Sequence, residues 1–402
     1  MKECALLYKE FYEIFCEVKR LYADNVKHIV FKTIKNLNEY TTLINKSRLF
    51  AKYYRESDNF AVILNGCMLL VTSTKPLVLI PAWDQMFTPW TNVETIVFET
   101  VTFRGGLSNT FYHCNAKTID FTDSIFEAGD SLDDDGIIFY STFGQCAAEE
   151  INFSNVVFKD SVTKMSCAFY SCKNLKRLDL SKFDMDDLVH MEQSFAFCPN
   201  LEEIKFNKHT YNHTLKSMYA TFSGCEKLKE IDLSGFLGYV GPDAQTVRRS
   251  MRVSYGDAFF SEDESITIIF GETFKNCRAL EKVHFDDRGY KVDAEKILAT
   301  EMFANCESLV DVNIEKVHRI EAAESMFSGC EKLKSIKLNI DMSVIKSVRY
   351  MFCDCRELEK IDVNISDTSD ICIDGTRMLE GCYKIDEQSY KLCKEYFNVY
   401  KD

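Results

Sequence analysis

The sequence predicts a repeat solenoid built from short parallel strands, and three observations carry that prediction. A phrase of the form aromatic-x-x-Cys-x-x-Leu-x-x-Ile-x-hydrophobic returns about every 25 residues, clearest at Phe169-Cys172-Leu175-Leu178-Leu180, Phe222-Cys225-Leu228-Ile231-Leu233, Phe327-Cys330-Leu333-Ile336-Leu338 and Phe352-Cys355-Leu358-Ile361-Val363. The end of each phrase alternates with the two-residue period of a strand buried on one face, as in Leu178-Asp179-Leu180. One unit of this size cannot bury its own apolar face, so the copies must stack as an array.

Aligned on the aromatic, the copies fall at Phe87, Phe111, Phe143, Phe169, Phe195, Phe222, Phe274, Phe303, Phe327 and Phe352, with Leu379 in the eleventh. Most intervals are 24 to 29 residues, but Phe111 to Phe143 is 32 and Phe222 to Phe274 is 52, so these two hold insertions (near 122–138 and 234–272) or a decayed copy. Upstream of each aromatic lies an apolar pair seven and four positions back, such as Leu188 and Met191 or Ile345 and Val348. That spacing suits a short helical turn or an irregular coil as the return path. A strand on one side and a compact return on the other give a leucine-rich-repeat cross-section, right-handed by the usual crossover rule.

Residues 1–58 read as a helical N-terminal region. Phe11, Ile14, Phe15, Val18, Leu21 and Tyr22 recur at helical spacing, Val26, Ile29, Val30, Ile34 and Leu37 suggest a second helix, and Leu43, Ile44, Leu49, Phe50 and Tyr53 a third. Two roles stay open for it: a cap on the first repeat, or a docking module. Residues 59–85 read as a hairpin-like connector, with Phe60–Val71 and 76–81 as its strands. Met86-Phe87-x-x-Trp90, with Trp in the Cys slot, reads as a capping repeat, since terminal units are atypical. The repeats then run over 86–390, and 391–402 is a C-terminal tail.

Leu178-Asp179-Leu180-Ser181-Lys182-Phe183-Asp184, followed by Leu188, Met191 and Ser194-Phe195-Ala196-Phe197-Cys198, resembles the BspA-like leucine-rich repeat of bacterial surface proteins, over roughly residues 86 to 385. Asp232-Leu233-Ser234-Gly235-Phe236 repeats part of it. The resemblance implies the fold. For function it implies only a range, from surface adhesins and lipoproteins to uncharacterised proteins of protists and large DNA viruses.

Of the 17 cysteines, Cys114, Cys146, Cys172, Cys198, Cys225, Cys277, Cys306, Cys330, Cys355 and Cys382 share one slot. Parallel side chains stacked about 4.8 Å apart lack the dihedral a disulfide requires. The slot is therefore expected to be a ladder of reduced, buried thiols with weak bonds to backbone. The odd total and free-looking Cys4, Cys16, Cys67, Cys353 and Cys393 fit a reducing compartment. No C-x-x-C pair supports zinc. The N-terminus lacks the apolar core of a signal peptide and no segment reaches the roughly 20 residues of a membrane span, so a cytoplasmic location is expected, with virion or cell surface as the alternative.

The balance of 48 basic and 62 acidic residues, net −14, opposes a phosphate-tracking surface, so no nucleic-acid partner is expected. Strand alternation places one outward column at Thr95, Thr118, Glu150, Arg177, Glu203, Glu230, Lys282, Asp311, Ser335 and Lys360. A second holds Val97, Asp120, Asn152, Asp179, Lys205, Asp232, His284, Asn313, Lys337 and Asp362. Both are mixed in sign and nearly free of aromatics, which suits either a protein-binding face or an ordinary solvated one. Arg177, Glu203, Lys205, Glu230, Lys282, His284 and Lys337 are the candidate contacts there. Arg248, Arg249 and Arg252 form the densest basic cluster, within the long insertion, where they meet an acidic partner or pair with Glu262, Asp263 and Glu264.

Enzyme motifs are missing: no Gly-rich phosphate loop, no H-E-x-x-H, no nucleophile elbow. His209-x-x-x-His213 lies in a polar stretch without a third ligand, and the Asp130–Asp135 run lacks EF-hand spacing, so no metal or cofactor is expected. Sequons at Asn45, Asn152, Asn212 and Asn364 matter only for an exported chain. The expected function is a non-catalytic scaffold or adaptor that binds a protein partner through the solenoid surface. A structural subunit of a larger assembly, such as a virion or cell-surface layer, is the alternative, and a surface adhesin the third.

Overall fold

The computed structural model describes residues 26–33, 61–64, 68–73, 77–79, 85–88, 90–129, 136–210, 212, 214–236, 267–285, 296–314, 317, 319–366 and 373–399. It divides into two compact units, Met1–Asp184 and Met185–Asp402.

In the first unit, β1 (His28–Thr33), β3 (Met68–Ser73), β5 (Thr95–Glu99), β7 (Thr118–Asp120) and β10 (Glu150–Asn152) form a parallel sheet, extended by β2 (Ala61–Leu64), in the order β10-β7-β5-β1-β3-β2. A second sheet stacks β4 (Leu77–Leu79), β6 (Val101–Arg104), β8 (Ile125–Glu127) and β11 (Val157–Phe158), all parallel. β9 (Ile137–Ile138) pairs with β12 (Val162–Lys164), and β13 (Arg177–Leu180) completes the unit. One rung is thus a first-side strand, a corner, a second-side strand and a return.

The corner explains the Asp of the repeated phrase. Its carboxylate accepts the backbone N–H two residues on, at 2.9 Å from Thr122 to Asp120 and from Ser181 to Asp179, and Asn152 does the same for Ser154. Such an Asx turn bends the chain between the two strands.

The second unit repeats this plan. β15 (Glu230–Asp232), β17 (Lys282–His284) and β19 (Asp311–Val312) stack on the first side, and β16 (Thr267–Ile269), β18 (Lys296–Leu298) and β20 (Ile320–Ala322) on the second. β14 (Glu203–Phe206) precedes them, and the seven-residue strands β21 (Ser335–Asp341) and β22 (Lys360–Ser366) pair in register along their length.

The returns are chains of turns rather than helix. Residues two before and two after the ladder aromatics from Phe111 to Phe352 take positive φ, for example Asn109 (53°) and His113 (56°) around Phe111, or Glu301 (55°) and Asn305 (60°) around Phe303. Local turn bonds alternate with bonds to the next rung: Cys114 N–H reaches Phe111 O at 3.0 Å, whereas Phe111 N–H reaches Thr142 O at 2.9 Å. Gly224, Gly329 and Gly381 take three of these left-handed positions, where an added Cβ would be strained.

The aromatic slot is a stack of parallel rings. Phe87, Phe111, Phe143 and Phe169 follow at 4.8, 5.1 and 5.0 Å between centroids. In the second unit Phe195, Phe222, Phe274, Phe303, Phe327 and Phe352 follow at 5.4, 5.3, 5.2, 5.3 and 5.6 Å. Direct stacking of Phe111 on Phe143 and of Phe222 on Phe274 makes these neighbouring rungs. Both long intervals are therefore insertions and neither hides a decayed copy.

The N-terminal expectation needs correction. Residues 28–33, assigned to a second helix, form β1, which pairs in register with β5 (Ile29↔Ile96, Phe31↔Phe98). Val26, Ile29 and Phe31 are buried like Val93, Ile96 and Phe98, so they are one more copy of the strand phrase. Its Cys and aromatic slots are unmatched, and a run of apolar residues at three and two also fits a helical face. The other two expected helices lie outside the described residues; among the described residues the only helix is near the C-terminus. Nor is the Trp90 repeat terminal, since β1 and β3 continue the sheet beyond it. The antiparallel pair joins β2 to β3, while Leu77–Leu79 pairs parallel with β6 instead of completing a hairpin.

Part of the expected C-terminal tail is helix α1 (Glu387–Tyr396). Asp386 caps its N-terminus by accepting Ser389 N–H at 2.6 Å. The Ser389 hydroxyl accepts Ile361 N–H at 2.9 Å and donates to Ile361 O at 3.3 Å, so one side chain satisfies both backbone groups of β22 at that point. Cys393 on the same helix is fully buried.

Candidate interaction surface

The ten repeated cysteines are all free and buried. In the first unit the Cys172 thiol donates to Phe143 O at 3.0 Å. In the second, Cys225, Cys277, Cys306, Cys330, Cys355 and Cys382 donate to the carbonyls of Phe195, Phe222, Phe274, Phe303, Phe327 and Phe352 at 3.0 to 3.2 Å. Each thiol thus ties its rung to the ladder aromatic of the rung before. Burial pushes the Cys277 thiol up to about 12 and raises Cys306 and Cys330 well above the usual range, so they stay protonated at neutral pH. Half-exposed Cys353 is also raised, to about 11, by burial and by Asp354 and Glu380. The ladder thiols are packing groups of the interior.

The strand face holds the outward columns in the expected register. In the first unit Thr95, Thr118 and Glu150 align, as do Val97, Asp120 and Asn152, with exposed Arg177 on β13. In the second, Glu230 aligns with Lys282 and Lys282 with Asp311, while Asp232 aligns with His284 and Lys337 with Asp362. Lys205, Glu230, Lys282, His284 and Lys337 are exposed and Glu203 is half-buried. Arg248, Arg249 and Arg252 lie outside the described residues.

Much of this charge is matched within the chain. Glu203 meets Lys205 at 3.4 Å on one strand, and Glu230 meets His284 Nε2 across neighbouring strands. On the returns, Arg278 meets Glu307 at 3.5 Å, Arg356 meets Glu331 at 3.0 Å and Lys384 meets Glu357 at 2.6 Å, each between successive rungs. Exposed pairs of this kind contribute little each, roughly 0.2–1 kcal/mol, but they explain why the surface is mixed in sign.

Two carboxylates do more, and sequence reading missed both. Glu127 on β8 lies between Arg104 on β6 (2.7 Å) and Lys159 (2.8 Å), with 14% of its side chain exposed. The hydrogen bond from Lys159 holds its carboxyl below the usual range, helped by Arg104 and opposed by burial. In the second unit Glu321 on β20, also 14% exposed, meets Lys296 on β18 at 3.5 Å and Lys346 from the following rung. The signal was an acidic residue flanked by basic residues one repeat away on each side, visible only once the second-side strands are aligned.

Among the described residues no group of three or more His, Cys, Asp or Glu could hold a metal ion, and no helix is long and apolar enough to cross a membrane. His209 sits on the corner turned by Asn207, and His213 lies outside the described residues, as does the Asp130–Asp135 run. Asn212, read as a sequon, is buried: its amide donates to Met185 O (2.7 Å) and Leu188 O (2.8 Å) and accepts from Thr214 and Leu215 N–H. Asn152 is engaged at its corner, whereas Asn364 is exposed and Asn45 lies outside the described residues.

Comparison with known proteins agrees with this geometry on the fold. No curated protein matches the chain. A crystal structure of a TLR13–ssRNA13 complex matches at 14% identity and a TM-score of 0.28, covering 77% of this chain and 44% of that one, so the chain spans under half of that protein's length. The family model of the BspA type leucine rich repeat region matches in six copies over residues 137–245 and 258–386, more than half of the sequence. Its span takes in the Cys–carbonyl rails of both units, and the chain belongs to the BspA-type leucine-rich-repeat family.

Proposed function

We propose that the chain is a non-catalytic interaction protein that binds a protein partner through the strand face of its repeats. The observation that carries this reading is the division of labour within each rung. The ladder phenylalanines and cysteines are buried, while Glu230, Lys282 and His284 stand exposed on the in-register pair β15 and β17, and Lys205 on β14 and Lys337 on β21 are exposed on the same unit's other strands. In-register strands hold their outward side chains at fixed spacing, and that preorganisation lowers the ordering cost of association. Arg177 and Glu203 extend the same face in their own units. Asp120, Asn152, Asp179 and Asp232 of the columns are engaged by backbone N–H groups at the corners, which leaves the basic members and Glu230 as the main contacts.

The test is affinity purification from the native source with the full chain, with K205E/K282E/K337E, and with the helix control K391E/K394E. A partner captured by the full chain and the control but lost from the strand-face variant supports the reading. A partner retained by all three places binding elsewhere. Because the contacts are charged, capture should also weaken as salt rises.

A further inference from the structure

We infer that the return face of the first unit is a binding site for a neutral oligosaccharide, separate from the strand face. Asp, Glu, Lys and Arg make up 27% of the chain, yet none lies within three positions of the ladder rings Phe111, Phe143 and Phe169, in 108–114, 140–146 or 166–172. The matching stretches of the second unit carry charge in every repeat but one, at Glu272, Lys275, Glu301, Glu324, Arg349 and Arg377 among others. The charge-free returns of the first unit are thus a local departure from the composition of the chain.

Three tyrosines reach solvent on these returns, each beside an Asn or Gln of the neighbouring rung. Tyr140 is 47% exposed, and its carbonyl accepts Asn109 N–H at 2.9 Å. The carbonyl of half-buried Tyr170 accepts Gln145 N–H at 2.6 Å. Tyr112 is held at several points. Its hydroxyl accepts from Gln145 Nε2 at 2.9 Å, its carbonyl accepts from Thr88 Oγ1 at 2.5 Å, and its ring lies so close over Gly144 that an added Cβ would come 2.7 Å from Cδ2. His113 meets the same ring T-shaped, at 4.4 Å between centroids. A ring fixed before its ligand arrives loses little freedom on binding.

Apart from Cys167, the side chains that reach solvent in these stretches belong to Ser, Asn, Gln, His and Tyr, and none to Leu, Ile, Val, Met, Phe or Arg. The centre of a protein interface draws on apolar side chains and Arg, and an anionic ligand calls for cations. A neutral pyranose chain needs neither. The C–H face of a sugar stacks on an aromatic ring, and its hydroxyls exchange hydrogen bonds with amides and hydroxyls, which both donate and accept. The ladder beneath advances 5.1 and 5.0 Å per rung, close to the advance of an extended glycan per sugar. Tyr112 and Tyr170, two rungs apart, therefore meet alternate sugars of one chain.

Titration calorimetry of the full chain with cellohexaose, laminarihexaose, chitohexaose and mannohexaose tests this, with a heparin hexasaccharide as the charged control. At least one neutral sugar should bind with a Kd below about 1 mM, and its affinity should hold as salt rises. Tyr140→Ala removes an exposed ring and should weaken that binding by about tenfold or more, while K205E/K282E/K337E on the strand face should leave it unchanged. Gly144→Ala, which displaces the Tyr112 ring without removing it, should weaken it as well. Hydrogen exchange at 108–114 and 140–146 of the wild-type chain should slow on saturation, a readout that depends on no variant. Absence of binding to all four neutral sugars at about 1 mM, binding that needs the strand-face lysines, or a preference for heparin that salt removes would each overturn the proposal. So would a native-source protein captured by the full chain and lost from Tyr140→Ala while no sugar binds.

Discussion

The two units build the same rung from different interiors. The first is packed with phenylalanine on three lines: beside the ladder stack, Phe31, Phe98, Phe121 and Phe153 stack at 4.8, 5.1 and 5.0 Å, and Phe103, Phe126 and Phe158 at 4.9 and 4.9 Å. The second keeps the ladder stack but mixes sizes in the strand-end slot, where Phe206, Leu233, Phe285, Ile314 and Leu338 take the place that Phe98, Phe121 and Phe153 hold in the first. Among the described residues the thiols of Cys225, Cys277, Cys306, Cys330, Cys355 and Cys382 tie its rungs to the preceding ladder carbonyl, as Cys172 does in the first. The backbone plan therefore tolerates both a line of stacked rings and a line of mixed sizes, provided neighbouring side chains fill the space, because an unfilled mismatch opens a void or forces a clash.

The largest effect expected from this contrast is at Phe121. It stacks on Phe98 and Phe153 and meets Phe111, Phe143, Phe103 and Phe126 edge-on or tilted. Phe121→Ala should destabilise the first unit by about 3–5 kcal/mol, read as a lower denaturant midpoint. The matching Leu338→Ala should cost about 2–5 kcal/mol in the second unit. A smaller loss at Phe121 than at Leu338 would break the claim that the phenylalanine lines dominate.

Next comes Asn212, which saturates two carbonyls and two N–H groups of its unit. Asn212→Ala should cost about 2–3 kcal/mol, since buried partners are left unsatisfied. Asn212→Asp should fare no better, having no N–H to donate to Met185 and Leu188.

The carboxylate clamps should give about 1 kcal/mol each. Glu127→Gln tests one directly. Its folded pKa is depressed, so its contribution is present above the unfolded value and is lost as pH falls through the folded one. Wild type should lose its advantage over Glu127→Gln across that acidic window, and equal pH profiles would remove the clamp from the account. The smallest effect is expected at Cys306, where Cys306→Ala loses one weak thiol bond and little volume, about 1 kcal/mol.

The repeat period, the in-register columns and the buried Cys slot were legible because the same side chains recur at the same offsets. The helix α1 cap was not, because its role depends on one hydroxyl, Ser389, meeting one edge residue, Ile361, far earlier in the chain. Nor was β1: it has the strand phrase without the Phe and Cys that mark the copies from Phe111 to Phe352, and a long stretch of chain separates it from β4. The surface was partly legible. Alternation located the outward residues, but the rung-to-rung pairing at Glu127 and Glu321 needed the second side to be aligned, and its strands carry too few residues to show a period.

The most direct test of the central claim, that the repeated cysteine packs the interior while function lies on the strand face, is alkylation of the native protein with a small thiol reagent, read by peptide mass spectrometry. The ladder cysteines, Cys114 through Cys382, should remain unmodified until the fold is opened with denaturant, while half-exposed Cys167 and Cys353 react first. Native labelling of Cys277, Cys306 or Cys330 at the rate of Cys353, or a disulfide between neighbouring ladder positions, would contradict it.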